Sequence, residues 1–215
     1  MSEPTVTAGQ VRYRRGGRVR PRTGGRPGTH GYVPARTART GTAAGAGPVR
    51  ILVAGVGELL VADDSFGPEV VEAMRGRPVP AGVHVVDFGT HATDLADRLL
   101  DGYHAAVLVD AAPRGGRPGT LYLLEPAPAP DPSGASGTAR ALAVARRIAR
   151  DEGAPLPRTL LLGCEPLVRA ADGGPGAVAQ LSAPVRAAVA GAVTVLESLT
   201  GELLRDPLAP LAARR

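Results

Sequence analysis

The stretch from Ile51 to Gly67, ILVAGVGELLVADDSFG, constrains the fold of this chain more than any other. Ile51 to Ala54 is an unbroken apolar run with β-branched residues, the character of a strand buried on both faces, as central strands of parallel sheets are. Gly55 and Gly57 let the backbone turn sharply after it. The connection from Val56 to Ser65 exceeds the roughly 2–6 residues usual between a strand and its helix, and a long loop at that place is more often functional than filler. It carries three carboxylates, Glu58, Asp63 and Asp64.

The rest of the chain repeats the pattern of a strand, a polar turn and a helix. Phe66, Val70, Val71 and Met74 fall at helical spacing, with Gly67 and Pro68 in the first turn, where proline is tolerated, and an end near Arg75. Val83–Val86 reads as a second strand followed by Asp87. Thr93 or Asp94 is placed to cap a helix through Leu95, Leu99 and Leu100. Ala105–Val109 is a third strand ending at Asp110, Thr120–Leu124 a fourth, and Thr159–Gly163 a fifth, followed by Cys164-Glu165-Pro166. Ala141, Val144, Ala145 and Ile148 mark a helix ending at Gly153. Val185 to Leu203 stripe a long last helix with Ser182 as its N-cap. Proline-, alanine- and glycine-rich residues from Pro126 to Gly137 read as a mobile surface loop.

Alternation of this kind implies right-handed crossovers and an α/β fold, a three-layer sandwich whose twisted, mostly parallel sheet of about five strands is covered on both faces. Ligands of such sheets bind beyond the carboxyl ends of the strands. Asp64, Asp87, Asp110 and Glu165 all follow strands on that side, and Asp64 and Asp110 converge if their strands are neighbours.

Charge narrows the function classes. Of the 25 basic residues, all arginine, ten lie in residues 1–50 beside a single acid, Glu3. The remainder carries fifteen arginines against nineteen acids, so the folded part has a formal charge of −4 and lacks the basic surface that nucleic-acid binding needs. Residues 1–48 are read as a disordered Arg/Gly/Pro-rich tail, 49–206 as the one folded domain and 207–215 as a short C-terminal tail. The lone Cys164 excludes a disulfide framework and a cysteine-cluster metal site. Its expected role is that of a small buried hydrophobe. No run of about 18 apolar residues is evident, and the expectation is a soluble, cytoplasmic, monomeric protein without a membrane partner.

Three chemistries compete for the loop acids. A dinucleotide fingerprint fails because Leu60 stands where its third glycine belongs, and a P-loop fails because the chain has no lysine. Metal engagement by hard oxygen ligands fits the clustered carboxylates. The plainer readings are Asp64 as a helix cap, Asp110 satisfied by backbone amides, His91 as an ordinary helix-start residue and His104 as structural at the opposite end of the sheet.

Taken in order, GVGELLVADDSFGPEVVEAM, VVDFGTHATDLADRLLDGYHAAVLVDAAPRGGRPGTLYLLEP and LLLGCEP resemble the hydrogenase maturation proteases over about residues 50–205. The resemblance implies an αβα sandwich and an aspartic-type endopeptidase that removes a C-terminal peptide from a nickel-iron hydrogenase large-subunit precursor after nickel insertion. It implies no cofactor of the enzyme's own, the nickel being carried by the substrate protein. Nickel contact and catalysis carry over to Asp64 and Asp110. The family's histidine belongs near Ser133 or Gly134, where this chain has none, and Glu58 stands where the family has Asn. His91, on the same edge of the sheet, is the candidate replacement metal ligand. The alternative is a non-catalytic module that docks on the precursor.

Overall fold

A computed structural model of the chain describes residues 47–58, 61–126, 136–168 and 180–208. Nearly all of the proposed N-terminal tail, the last seven residues, positions 133 and 134 and the Asp172-Gly-Gly-Pro-Gly run lie outside the described residues. The elements are β1 (Ile51–Val56), a 3-10 turn (Ala62–Ser65), α1 (Phe66–Arg75), β2 (Val83–Gly89), α2 (Ala92–Leu99), β3 (Ala105–Ala111), β4 (Leu121–Leu124), α3 (Gly137–Glu152), β5 (Arg158–Cys164) and α4 (Ala183–Arg205).

The five strands form one sheet in the order β2-β1-β3-β5-β4. All neighbours are parallel except β4, which runs antiparallel to β5 at the edge. Side chains alternate along each strand, so β1 serves two cores at once. Ile51 and Val53 join Phe66, Val70, Met74, Val193, Leu196 and Leu203 under α1 and α4. Leu52, Ala54 and Val56 join Leu95, Leu99, Ala141 and Leu142 under α2 and α3. The expected three layers and mostly parallel sheet are therefore present, with two helices on each face.

Boundaries differ from the sequence reading where polar residues sit inside elements. β2 runs on through Asp87 to Gly89, and β3 through Asp110 to Ala111. Both acids belong to strand ends rather than to the loops beyond. α2 begins at Ala92 with His91 at its N-cap, and neither Thr93 nor Asp94 caps it. Ser182 does hold the N-cap position of α4, but its hydroxyl makes no capping bond; it is used elsewhere, as shown below. α3 ends as expected, on Gly153 in the left-handed conformation.

By length and composition α4 could cross a membrane, its 23 residues reaching a mean hydropathy of 1.4 over an 18-residue window. Arg186, Glu197 and Glu202 interrupt its apolar sequence, while its alanines and valines keep the mean high. In the fold its apolar stripe covers the sheet, with Val185, Ala192, Val193, Leu196, Leu199 and Leu203 buried.

What sets the active edge of the sheet is the approach of α1. A Cβ on Gly67 would overlap the carbonyl oxygens of Val56 and Val109, so only glycine lets the first turn of α1 rest on the ends of β1 and β3 together. Gly57, at φ +138°, lies against the carbonyl of Asp64 in the same way. Backbone atoms of two central strands cannot move aside as a flexible side chain could. Gly67→Ala should therefore lower the unfolding free energy by about 3 kcal/mol, the upper end of overpacking costs. Gly201→Ala, near the C-terminal end of α4 where an added Cβ meets nothing, should raise it by roughly 0.5–1 kcal/mol. Urea titrations of the two variants should move in opposite directions.

Candidate active site

The acids that sequence placed on one edge of the sheet divide into anchors and a pair left for chemistry. Asp63 has no solvent exposure. Its Oδ2 accepts the amides of Leu167 at 2.7 Å and Val168 at 2.8 Å and the Ser182 hydroxyl at 3.0 Å, and its Oδ1 accepts the Ser182 amide at 2.8 Å. Four donors satisfy this buried carboxylate, and they tie the 3-10 turn to the end of β5 and to the start of α4. The Ser182 hydroxyl is missing from its own helix cap because it serves Asp63.

Glu165 is a second anchor. The amides of Arg114 and Gly115 and the Tyr122 hydroxyl, at 2.8–3.1 Å, converge on its carboxylate. Burial pushes this carboxyl up, but the Tyr122 hydroxyl and the amides of Gly116, Arg114 and Gly115 outweigh it and hold the group below its usual range. It pins the loop after β3. Asp87 closes its own strand end, accepting the Gly89 amide at 2.9 Å.

Asp110 is different. It is buried at the end of β3, where Thr138, in the first turn of α3, donates from Oγ1 to its Oδ2 at 2.7 Å. Burial raises its pKa to about 7; the Thr138 hydroxyl and the Ala111 amide act downward, and the nearby charge of Asp64 acts upward. Asp64 lies half-buried in the 3-10 turn that Gly67 seats over β1 and β3, which are neighbours paired Gly55 to Val109. The two acids therefore meet electrostatically, as adjacent strands allow.

His91 is exposed at the N-cap of α2, beyond the end of edge strand β2, and its Nδ1 lies 3.1 Å from the Phe88 carbonyl. That bond fixes the ring and leaves Nε2 outward. Among the described residues no group of three or more His, Cys, Asp or Glu side chains closes into a ready metal site. Asp64 and Asp110 lie beyond the neighbouring strands β1 and β3, with His91 one strand further out, after β2. His104 accepts the Arg50 amide at the opposite end of the sheet. Cys164 is buried, and burial together with the negative charges of Asp63 and Glu165 pushes its thiol up to about 12, which keeps it protonated and removes it as a nucleophile.

Sequence reasoning named Asp64 and Asp110 but missed Thr138, which belongs to no motif. Its only signal was a hydroxyl residue opening an amphipathic helix that must begin at the same end of the sheet.

Comparison with known proteins agrees with this architecture. Residues 68–198, more than half the chain, match the family model described as hydrogenase maturation protease; the span includes His91, Asp110 and Thr138 and starts just after the Asp63–Asp64 turn. The hydrogenase expression/formation protein HupD of Rhizobium leguminosarum bv. viciae is 34% identical over 69% of this chain and 75% of its own. HupD of Bradyrhizobium diazoefficiens is 33% identical over 67% and 74%. The hydrogenase maturating endopeptidase HybD of E. coli superposes with a TM-score of 0.55 at 24% identity, covering 72% of this chain and 93% of its own, a likeness of fold.

The raised pKa has a measurable consequence. A carboxyl that holds its proton more tightly folded than unfolded stabilises the fold at low pH and loses that contribution as pH rises through the folded value. Between pH values of about 4 and about 7 the wild type should lose stability relative to Asp110→Asn, by on the order of a few kcal/mol, because each pKa unit is worth about 1.4 kcal/mol. Above about 8 the difference should be flat. Chemical denaturation of both proteins across this range checks it.

Proposed function

The chain belongs to the hydrogenase maturation protease family, and from that premise we propose that it is an endopeptidase that removes the C-terminal peptide of a nickel-iron hydrogenase large-subunit precursor. The observation that carries the reading is the meeting of Asp64 and Asp110 at the carboxyl ends of two neighbouring central strands, one acid buried and titrating near neutrality, the other acting on it. Asp63 and Glu165, in contrast, each gather backbone amides of distant loops and hold those loops in place. An acid held near pH 7 by burial and a neighbouring charge is poised for proton transfer or for binding a cation.

In this reading the nickel arrives in the precursor, as substrate. Asp64 and Asp110 contact it, report that insertion is complete and orient the scissile segment against the edge of the sheet. Divalent nickel accepts carboxylate and imidazole ligands, and His91 supplies the imidazole from the end of β2. Nickel contact requires Asp110 ionised, so engagement releases its proton and strengthens as pH rises through about 7. The pair also suits an aspartic-type mechanism, in which one carboxyl keeps a proton while the other activates water. A docking module that holds the precursor without cutting it is the second reading, favoured by the lack of a histidine in the segment from Pro126 to Gly137.

Incubation with a nickel-loaded precursor separates the two. Mass spectrometry should show C-terminal shortening by wild type and none by Asp64→Asn or Asp110→Asn, with His91→Ala slowed by about the 10–100-fold that disturbance of a metal site commonly costs. Stable capture of an uncut precursor by wild type would favour the docking module. No capture and no shortening would defeat both.

A further inference from the structure

We propose that Thr138 is the positioning residue of this site: its hydroxyl fixes the Asp110 carboxylate for contact with the substrate's nickel. The inference rests on the proposed function and deepens it. Thr138 Oγ1 donates to Asp110 Oδ2 at 2.7 Å, and both residues are buried, at 3% and 8% exposure. A hydroxyl and a carboxylate 28 residues apart in sequence meet because α3 starts where β3 ends.

The donor is itself held rigidly. Ser136 occupies the N-cap of α3 and its hydroxyl accepts the Ala139 amide at 3.3 Å, which brackets Thr138 inside the first turn. A Cβ on Gly137 would come within 3.1 Å of Val56 Cγ1, so this turn packs closely against the end of β1 as α1 does from the other face. The β-branched side chain of Thr138 has few rotamers available in a helix, and its Oγ1 is therefore delivered to one place. Its remaining alternative, a bond back to its own helix, is replaced by the bond to Asp110.

Consequences for the acid follow from geometry. Without the hydroxyl, the buried Asp110 Oδ2 would lose its side-chain partner and the carboxylate would be held by the protein through the Ala111 amide alone. With it, Oδ2 is also tied to the first turn of α3, and the carboxylate torsion is restrained from a second element. A hydrogen-bonded partner of this kind orients a metal-binding carboxylate without touching the metal, and removing one typically costs about 10–100-fold in metal affinity or activity.

The test uses the full chain as wild type, Thr138→Val, Thr138→Ser and Asp110→Asn. Three readouts are taken: calorimetric titration with nickel(II) alone, kcat and KM for shortening of the nickel-loaded precursor, and thermal melting. Thr138→Val should bind nickel about 10–100-fold more weakly and lose kcat more than KM, while Thr138→Ser, which keeps the hydroxyl, should recover to within a few-fold of wild type. A folded Thr138→Val with wild-type nickel affinity and kcat, or one whose only change is a lower melting temperature, overturns the inference. So does a Thr138→Ser as impaired as the valine variant, since the methyl group would then be what matters. If wild type leaves the precursor uncut yet its nickel affinity still depends on the hydroxyl, the positioning role stands and the protease reading falls. If wild type neither binds nickel nor cuts, both fall.

Discussion

A fully buried carboxylate with four donors holds the working edge of this protein together. Asp63 reaches 104 residues forward to Leu167 and 119 forward to Ser182, so the turn after β1, the exit of β5 and the entry of α4 are fixed against one another by one side chain. Burial of an unpaired charge would cost several kcal/mol; burial of one that accepts four hydrogen bonds turns the same group into a joint that tolerates no substitute. Gly67 acts from below, letting α1 settle on the carbonyls of Val56 and Val109. Between them these two constraints decide where Asp64 stands.

Asp63 and Asp64 are neighbours with opposite duties. One faces inward and is saturated; the other stays half-exposed in the same 3-10 turn, close enough to Asp110 to raise its pKa. Glu165 repeats the anchoring solution on the other side, gathering the loop after β3 onto the end of β5. The loops that border the site are thus held by carboxylates, and the site itself is the remaining pair. Such a rigid frame suits a pair of carboxylates that has to be oriented, because their orientation is worth little if their backbones move.

Much of this was legible in the residues. Buried parallel strands read as apolar runs and the helices as 3.6-residue stripes, so the five strands and four α-helices of the described residues were found; the rule that parallel sheets present ligands at their carboxyl ends gave Asp64, Asp87, Asp110 and Glu165, and the family resemblance singled out Asp64 with Asp110. Only the family resemblance separated Asp64 from Asp63; spacing could not, since both are aspartates in one turn and the donors that distinguish them lie more than a hundred residues away. Ser182 looked like a helix cap for the same reason: its local pattern is right, and a distant carboxylate takes its hydroxyl. Thr138 was hidden by having no motif. His91 was placed on the correct edge, but its position as N-cap of α2 and the turn of its Nδ1 to the Phe88 carbonyl depend on where β2 ends, and β2 outran its apolar run by three residues.

The division of labour between the two adjacent aspartates is the claim on which the rest depends, and paired equilibrium unfolding of Asp63→Ala and Asp64→Ala tests it most directly. Asp63→Ala removes the acceptor for four donors and should cost on the order of 3–5 kcal/mol, as breaking a buried charged network does. Asp64→Ala should cost clearly less, about 1–2 kcal/mol, the scale of a half-buried acid near a helix start. Equal losses in the two variants, or a larger loss at Asp64, would contradict the account.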